Sequence, residues 1–187
     1  MRMGWKHLLF ATIFSSALVT VAAQANAIDP ALLARANAGD AVSQVLVGES
    51  YASGNGVTRD LKQAAEWYRK AAEKGDTSGE VHLAALYRDG GKGLPRDMAY
   101  AAEWYRKAAE KGDVTAQATL GVLYSIGQGV PHSDAEAYYW LDLAAAAKGP
   151  SQERYVANRQ LIGTHLTVDE LAEVEERVAK WLAAHPR

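Results

Sequence analysis

The chain has 187 residues, with 22 acidic side chains against 20 lysines and arginines. Without a basic run, that balance leaves no electrostatic footprint for nucleic acid or an anionic membrane surface. The absence of cysteine excludes disulfides and bacterial lipid attachment, so stability has to come from packing.

The N-terminus reads as a secretory signal peptide. Arg2 and Lys6 precede an apolar run over 8–23, and Ala25-Asn26-Ala27 offers a small-x-small cleavage site. The run is about sixteen residues, short of the roughly twenty that a spanning helix needs, which argues against an uncleaved anchor. Cleavage after Ala27 leaves 160 residues carrying 18 basic against 22 acidic side chains, a net charge of −4. The expected address is periplasmic, or secreted, with no membrane insertion once the segment is removed.

Next come Asp29 and Pro30, a helix cap followed by a residue that loses no hydrogen bond at the first helical position. They predict a short capping helix within 28–38. From there the chain repeats. Gly-Asp stands at 39–40, 75–76 and 112–113, and Gly149-Pro150 fills a fourth slot, at steps of 36, 37 and 37. Glycine ends one helix in a left-handed conformation and aspartate caps the next, so one dipeptide makes a tight turn. The repeats are expected to cover 39–74, 75–111 and 112–149, with a helical pair and cap over 150–187.

Each unit begins with a first helix whose aligned residues share one stripe: Ser43, Gly79 and Ala116; Val47, Leu83 and Leu120; Tyr51, Tyr87 and Tyr124. A glycine-rich loop follows, and then Asp60, Asp97 or Ser133 caps a second helix. The second helices carry the most conspicuous repeat, since residues 65–75 recur letter for letter as 102–112. Trp67, Trp104 and Trp140 occupy equivalent places on an apolar face, which assigns them to the core rather than to sugar stacking. Glu66–Lys70 and Glu103–Lys107 have the spacing of i,i+4 ion pairs. Beyond the third unit, residues 151–162 suit a further first helix, and Thr167 with Glu170 forms a capping box opening a last amphipathic helix. No stretch alternates with a two-residue period. The reading is all-α, an α/α solenoid of antiparallel helix pairs with about nine helices.

These residues resemble the Sel-one-like repeat family, a branch of the tetratricopeptide-like solenoids. The likeness rests on Ala116-Gln117, Leu120-Gly121, Tyr124, Gly127-Gln128-Gly129-Val130, Leu94-Pro95-Arg96-Asp97 and the run from Trp67 to Gly75. Departures are Gly79-Glu80 for Ala-Gln, an extra loop residue near Gly91, and Ser133 for the capping aspartate. The resemblance implies a right-handed superhelix acting as a scaffold or adaptor for protein–protein interaction, with envelope signalling and polysaccharide assembly among its settings. One cysteine-rich branch implies an alternative, a hydrolase acting on cell-wall peptides or β-lactams. This chain has none of those cysteines, so no catalytic residue, cofactor or metal is carried over.

Local patterns that could mislead have simpler readings. Gly90-Gly91-Lys92-Gly93 lacks the spacing and ending of a phosphate loop. His82, His132, His165 and His185 lack metal-ligand spacing. In His132-Ser133-Asp134 the serine is more simply a cap. Specificity is expected on the concave surface lined by first helices, at positions off the packing stripe. Helical phase selects Val45, Val81 and Ala118, then Glu49, Ala85 and Val122, with Arg88 and Ser125 one turn on. Their small apolar character suits an extended peptide or partner helix. The expected partner is another envelope protein or peptide, met by a monomer.

Overall fold

The computed structural model describes residues 27–186, so the expected signal peptide lies outside the described residues except for Ala27. Among the described residues the chain forms nine helices and no strand. They are α1 (Pro30–Asn37), α2 (Ala41–Ser53), α3 (Leu61–Ala72), α4 (Thr77–Asp89), α5 (Met98–Glu110), α6 (Val114–Ile126), α7 (Asp134–Ala145), α8 (Gln152–Gly163) and α9 (Val168–Ala184). None is long and apolar enough to cross a membrane.

The helix boundaries follow from the caps. Asp40, Asp76 and Asp113 accept hydrogen bonds from the backbone N–H of Ser43, Gly79 and Ala116 at 3.0, 2.7 and 2.7 Å. Asp97 and Ser133 do the same for Tyr100 and Glu136 at 2.9 and 3.2 Å. Ahead of each first helix the chain turns at Gly39, Gly75 or Gly112, with φ of 97, 81 and 93°. Those values favour glycine because a β-carbon would meet the backbone there. The Thr167–Glu170 capping box is formed, and both of its reciprocal bonds are present.

Helices pack against their chain neighbours from α1 to α8, and α2 also touches α4, which sets the first helices side by side. This is an α/α solenoid with first helices on one side and second helices on the other. The last helix breaks the series by packing mainly on α7, and the Trp181 ring lies close over the Gly112 turn. At Gly79 the approach of α4 to α3 is so close that a β-carbon would lie 2.9 Å from the Ala72 nitrogen, which explains glycine in that slot. The extra residue near Gly91 is absorbed by a small turn. There Gly91 and Leu94 exchange two backbone hydrogen bonds, and the Leu94 side chain is buried.

The apolar and basic residues of the repeated stretch hold the array together, while Glu66, Glu73, Glu103 and Glu110 are exposed. Trp67, Trp104 and Trp140 are buried, and so are Ala64, Ala101 and Ala137. Burying a large aromatic contributes on the order of 3 kcal/mol; Trp104 and Trp140 do so in the main core, and Trp67 packs with Ala36 and Val47 at the N-terminal end. Lys70 and Lys107 each place Nζ 3.8 Å from the centre of the tryptophan ring in their own turn. The expected Glu66–Lys70 and Glu103–Lys107 ion pairs do not form, because the ring faces draw the ammonium groups away. Arg69 donates to the Tyr87 hydroxyl at 3.3 Å and Arg106 to that of Tyr124 at 2.6 Å, tying each second helix to the next first helix. Lys74 and Lys111 reach back to the carbonyls of Gly39 and Gly75 in the preceding turns.

A candidate interaction groove on the first-helix face

The first helices share a second set of equivalent residues. Gln44, Glu80 and Gln117 each follow their turn glycine by five positions and are buried. The Gln44 and Gln117 amides donate to the carbonyls of Ala36 and Ala109, eight residues upstream, at 3.0 and 3.1 Å. Glu80 cannot donate when ionised. Instead its carboxylate accepts from Lys111 at 2.7 Å, so the departure from the repeat pattern is compensated by a neighbouring lysine. Gln152 donates to Ala145 at 3.1 Å in the same manner, which fixes α8 as the fourth first helix and sets its register.

With that register, the exposed stripe of the first-helix layer can be followed from unit to unit. It falls three, seven, ten and fourteen residues after the turn glycine. Val42, Leu46, Val122 and Ile126 lie on it and are 62, 41, 37 and 55% exposed. Leu161, at the corresponding end of α8, is 63% exposed. The same positions of α4 hold Ser78, His82, Ala85 and Asp89, so the open apolar side chains fall in separate groups on α2, α6 and α8. A contiguous apolar group left open to water marks a contact surface.

A groove of about 770 Å³ runs along this stripe where α4, α6 and α8 lie side by side. Thr115, Ala118, Thr119, Val122, Leu123 and Ile126 of α6 form its floor, and Tyr155 and Asn158 of α8 form one wall. The other wall is cationic. Arg88 and Asp89 stand at the end of α4, Arg96 comes from the loop that follows, Met98 opens α5, and Gln128 comes from the loop after α6. Arg154 lies at the α8 side, stacked at 5.4 Å on Tyr155. Arg88 holds both oxygens of Asp89, at 2.7 and 3.0 Å. Those hydrogen bonds keep the Asp89 carboxyl below the usual carboxylate range, and the nearby charge of Arg96 acts in the same direction.

Of the eight expected positions, the structure brings Arg88, Ala118 and Val122 together in the groove. Ala118 is mostly buried beneath its floor, and Val45 is buried in the main core. Both were expected off the packing stripe; instead, positions six residues after the glycine pack between adjacent first helices. Val81, Ala85 and Ser125 are half-buried and do not line the groove. Glu49 lies outside it, with its carboxylate 3.4 Å from His82 of α4. The expected face is therefore about 60° round the helix from the exposed one, at roughly 100° per residue. Sequence reasoning missed Thr115, Thr119 and Ile126 for this reason. It missed Arg96, Gln128, Arg154 and Asn158 because they come from loops and from a helix whose start has lost its Gly-Asp marker.

The other histidine and serine groups resolve simply. The Ser133 hydroxyl is the acceptor that caps α7. His132 and His165 flank the two oxygens of Asp134, each at 3.4 Å. Among the described residues no group of three or more His, Cys, Asp or Glu is placed to hold a metal ion.

Comparison with known proteins agrees with the architecture. A family model described as Sel1 repeat matches residues 41–76, 78–113 and 114–148. No curated protein matches the chain. Among solved structures, a Sel1 repeat protein from Oxalobacter formigenes is similar over 66% of this chain, with 33% identity and a TM-score of 0.60. A protective antigen of uropathogenic Escherichia coli strains, displaying an SLR fold, aligns over 81% of this chain at 22% identity and a TM-score of 0.44. In both cases the chain spans about half of the matched protein, 47%.

Proposed function

Because the chain belongs to the Sel1 repeat family, whose members are generally protein–protein interaction scaffolds, we propose that it is an exported periplasmic adaptor whose groove between α4, α6 and α8 holds a segment of another envelope protein. Solenoids of this type are typically non-catalytic. The supporting observation is the pair of open apolar side chains on α6. Val122 and Ile126 sit in the groove with no core to cover them, while Leu120, Leu123 and Tyr124 on the same helix are buried. An apolar floor with polar side chains along the wall suits an extended segment or a single helix. Envelope signalling and polysaccharide assembly are the settings in which such an adaptor would work.

The test is crosslinking in the intact envelope, followed by comparison of captured proteins between the parent chain and Val122→Glu. The proposal expects a defined band that is lost in the variant while the protein level stays the same. An unchanged set of captured proteins would remove the groove from the account. Cell fractionation addresses the location separately, with the protein expected in the periplasmic fraction and shortened by its first 27 residues.

A further inference from the structure

We propose that the segment held in the groove is an acidic one, in which carboxylate side chains alternate with aliphatic ones; this rests on the groove being the binding site. The charge of the groove opposes that of the chain. Three arginines against one aspartate give it a net +2, whereas the whole protein carries −2. Asp89 is held through both of its oxygens by Arg88 and meets the charge of Arg96 only at longer range. Arg96 donates to the neutral Gln128 amide oxygen at 3.1 Å, and Arg154 meets the Ser151 hydroxyl at 3.5 Å and the Tyr155 ring, both neutral. Neither takes part in the ion pairs of the described residues.

A guanidinium presents a planar fork that a carboxylate fills with two parallel hydrogen bonds, roughly twice as strong as neutral ones. Arg96, from the loop after α4, and Arg154, on α8, line the groove together with Val122 and Ile126 of its floor. An extended peptide points successive side chains in opposite directions, so aliphatic residues can meet the floor while acidic ones meet the rims. An anionic sugar chain fits less well. It has no aliphatic side chains for Val122 and Ile126, and the one aromatic ring of the groove, Tyr155, is only 8% exposed and offers no stacking platform.

The experiment is fluorescence anisotropy of the purified protein with labelled octapeptides that alternate leucine with aspartate, serine or lysine. The aspartate peptide should bind about tenfold or more tightly than the serine peptide, and the lysine peptide should not bind. Raising salt from about 0.05 to about 0.5 M should weaken only the aspartate peptide, because screening acts on the charge contribution alone. The double variant Arg96→Glu with Arg154→Glu should reverse the preference toward lysine, with helical content and melting unchanged. Equal binding of the aspartate and serine peptides, both abolished by Val122→Glu, would overturn the acidic assignment and leave the groove standing. Binding by neither peptide, with envelope capture indifferent to Val122→Glu, would overturn both. A labelled hexamannuronate that bound more tightly than the aspartate peptide would also overturn the proposal, assigning the groove to an anionic sugar.

Discussion

At the α3–α4 and α5–α6 junctions an arginine of the second helix donates to a tyrosine hydroxyl on the following first helix. At the α7–α8 junction the same two slots hold Asp142 and Arg159, joined at 2.6 Å. The polarity of the tie is reversed: the cation has moved from the second helix to the first. Register is what the solenoid preserves, and the chemistry filling a register position can change provided both members change together. The inner junctions use a neutral acceptor that can return to water at low cost. The outer junction uses two charges, 29 and 17% exposed, and losing one leaves the other partly buried.

That contrast can be tested by breaking each tie. Largest of all should be the loss of a shared core element. Trp104→Ala is expected to cost about 3–5 kcal/mol, read from urea denaturation, because the buried ring is removed and its cavity cannot fully collapse. Next is Arg159→Ala, expected to cost about 1.5–3 kcal/mol, since it strands the Asp142 carboxylate. Arg106→Ala at the inner junction should cost only about 0.5–1.5 kcal/mol. The sharper form of the comparison is a transplant. Asp142→Arg with Arg159→Tyr should recover most of the Arg159→Ala loss, whereas Asp142→Arg alone should be worse than either because it sets two cations together.

A smaller effect is expected at Glu80, the one acid among the buried first-helix amides. Glu80→Gln gives up the Lys111 pair but gains a donor facing the Ala72 carbonyl, as Gln117 faces that of Ala109. Net stability should change by about 1 kcal/mol or less. A double-mutant cycle checks the exchange: Lys111→Ala should be clearly destabilising in the parent and less so beside Glu80→Gln, where only the bond to the Gly75 carbonyl is lost.

Most of the fold was readable because its determinants are local and periodic. The Gly-Asp turns, the capping side chains and the tryptophan face each depend on a few neighbouring residues and recur at steps of 36 and 37. The departures were less readable for a physical reason. Arg159 occupies a tyrosine slot only if α8 is aligned through Gln152, and that alignment depends on a hydrogen bond across the turn rather than on a sequence marker. Lys70 and Lys107 match both an ion-pair spacing and a ring-stacking one, and periodicity cannot decide between them. The groove was the hardest part. Its floor lies one packing contact away from the expected face, since an inner first helix such as α6 has four neighbours and only their arrangement shows which side is left open. Its arginines come from non-equivalent positions, so no repeat pattern announces them.

The repeated residues build the array and the unrepeated first-helix residues bind: that division is the central claim. Its most direct measurement is a paired one on Val122→Glu, thermal melting alongside aspartate–leucine peptide binding. The account predicts a melting curve equal to the parent's, within about 0.5 kcal/mol, together with loss of peptide binding. A destabilised variant, or a stable one that still binds, would contradict it.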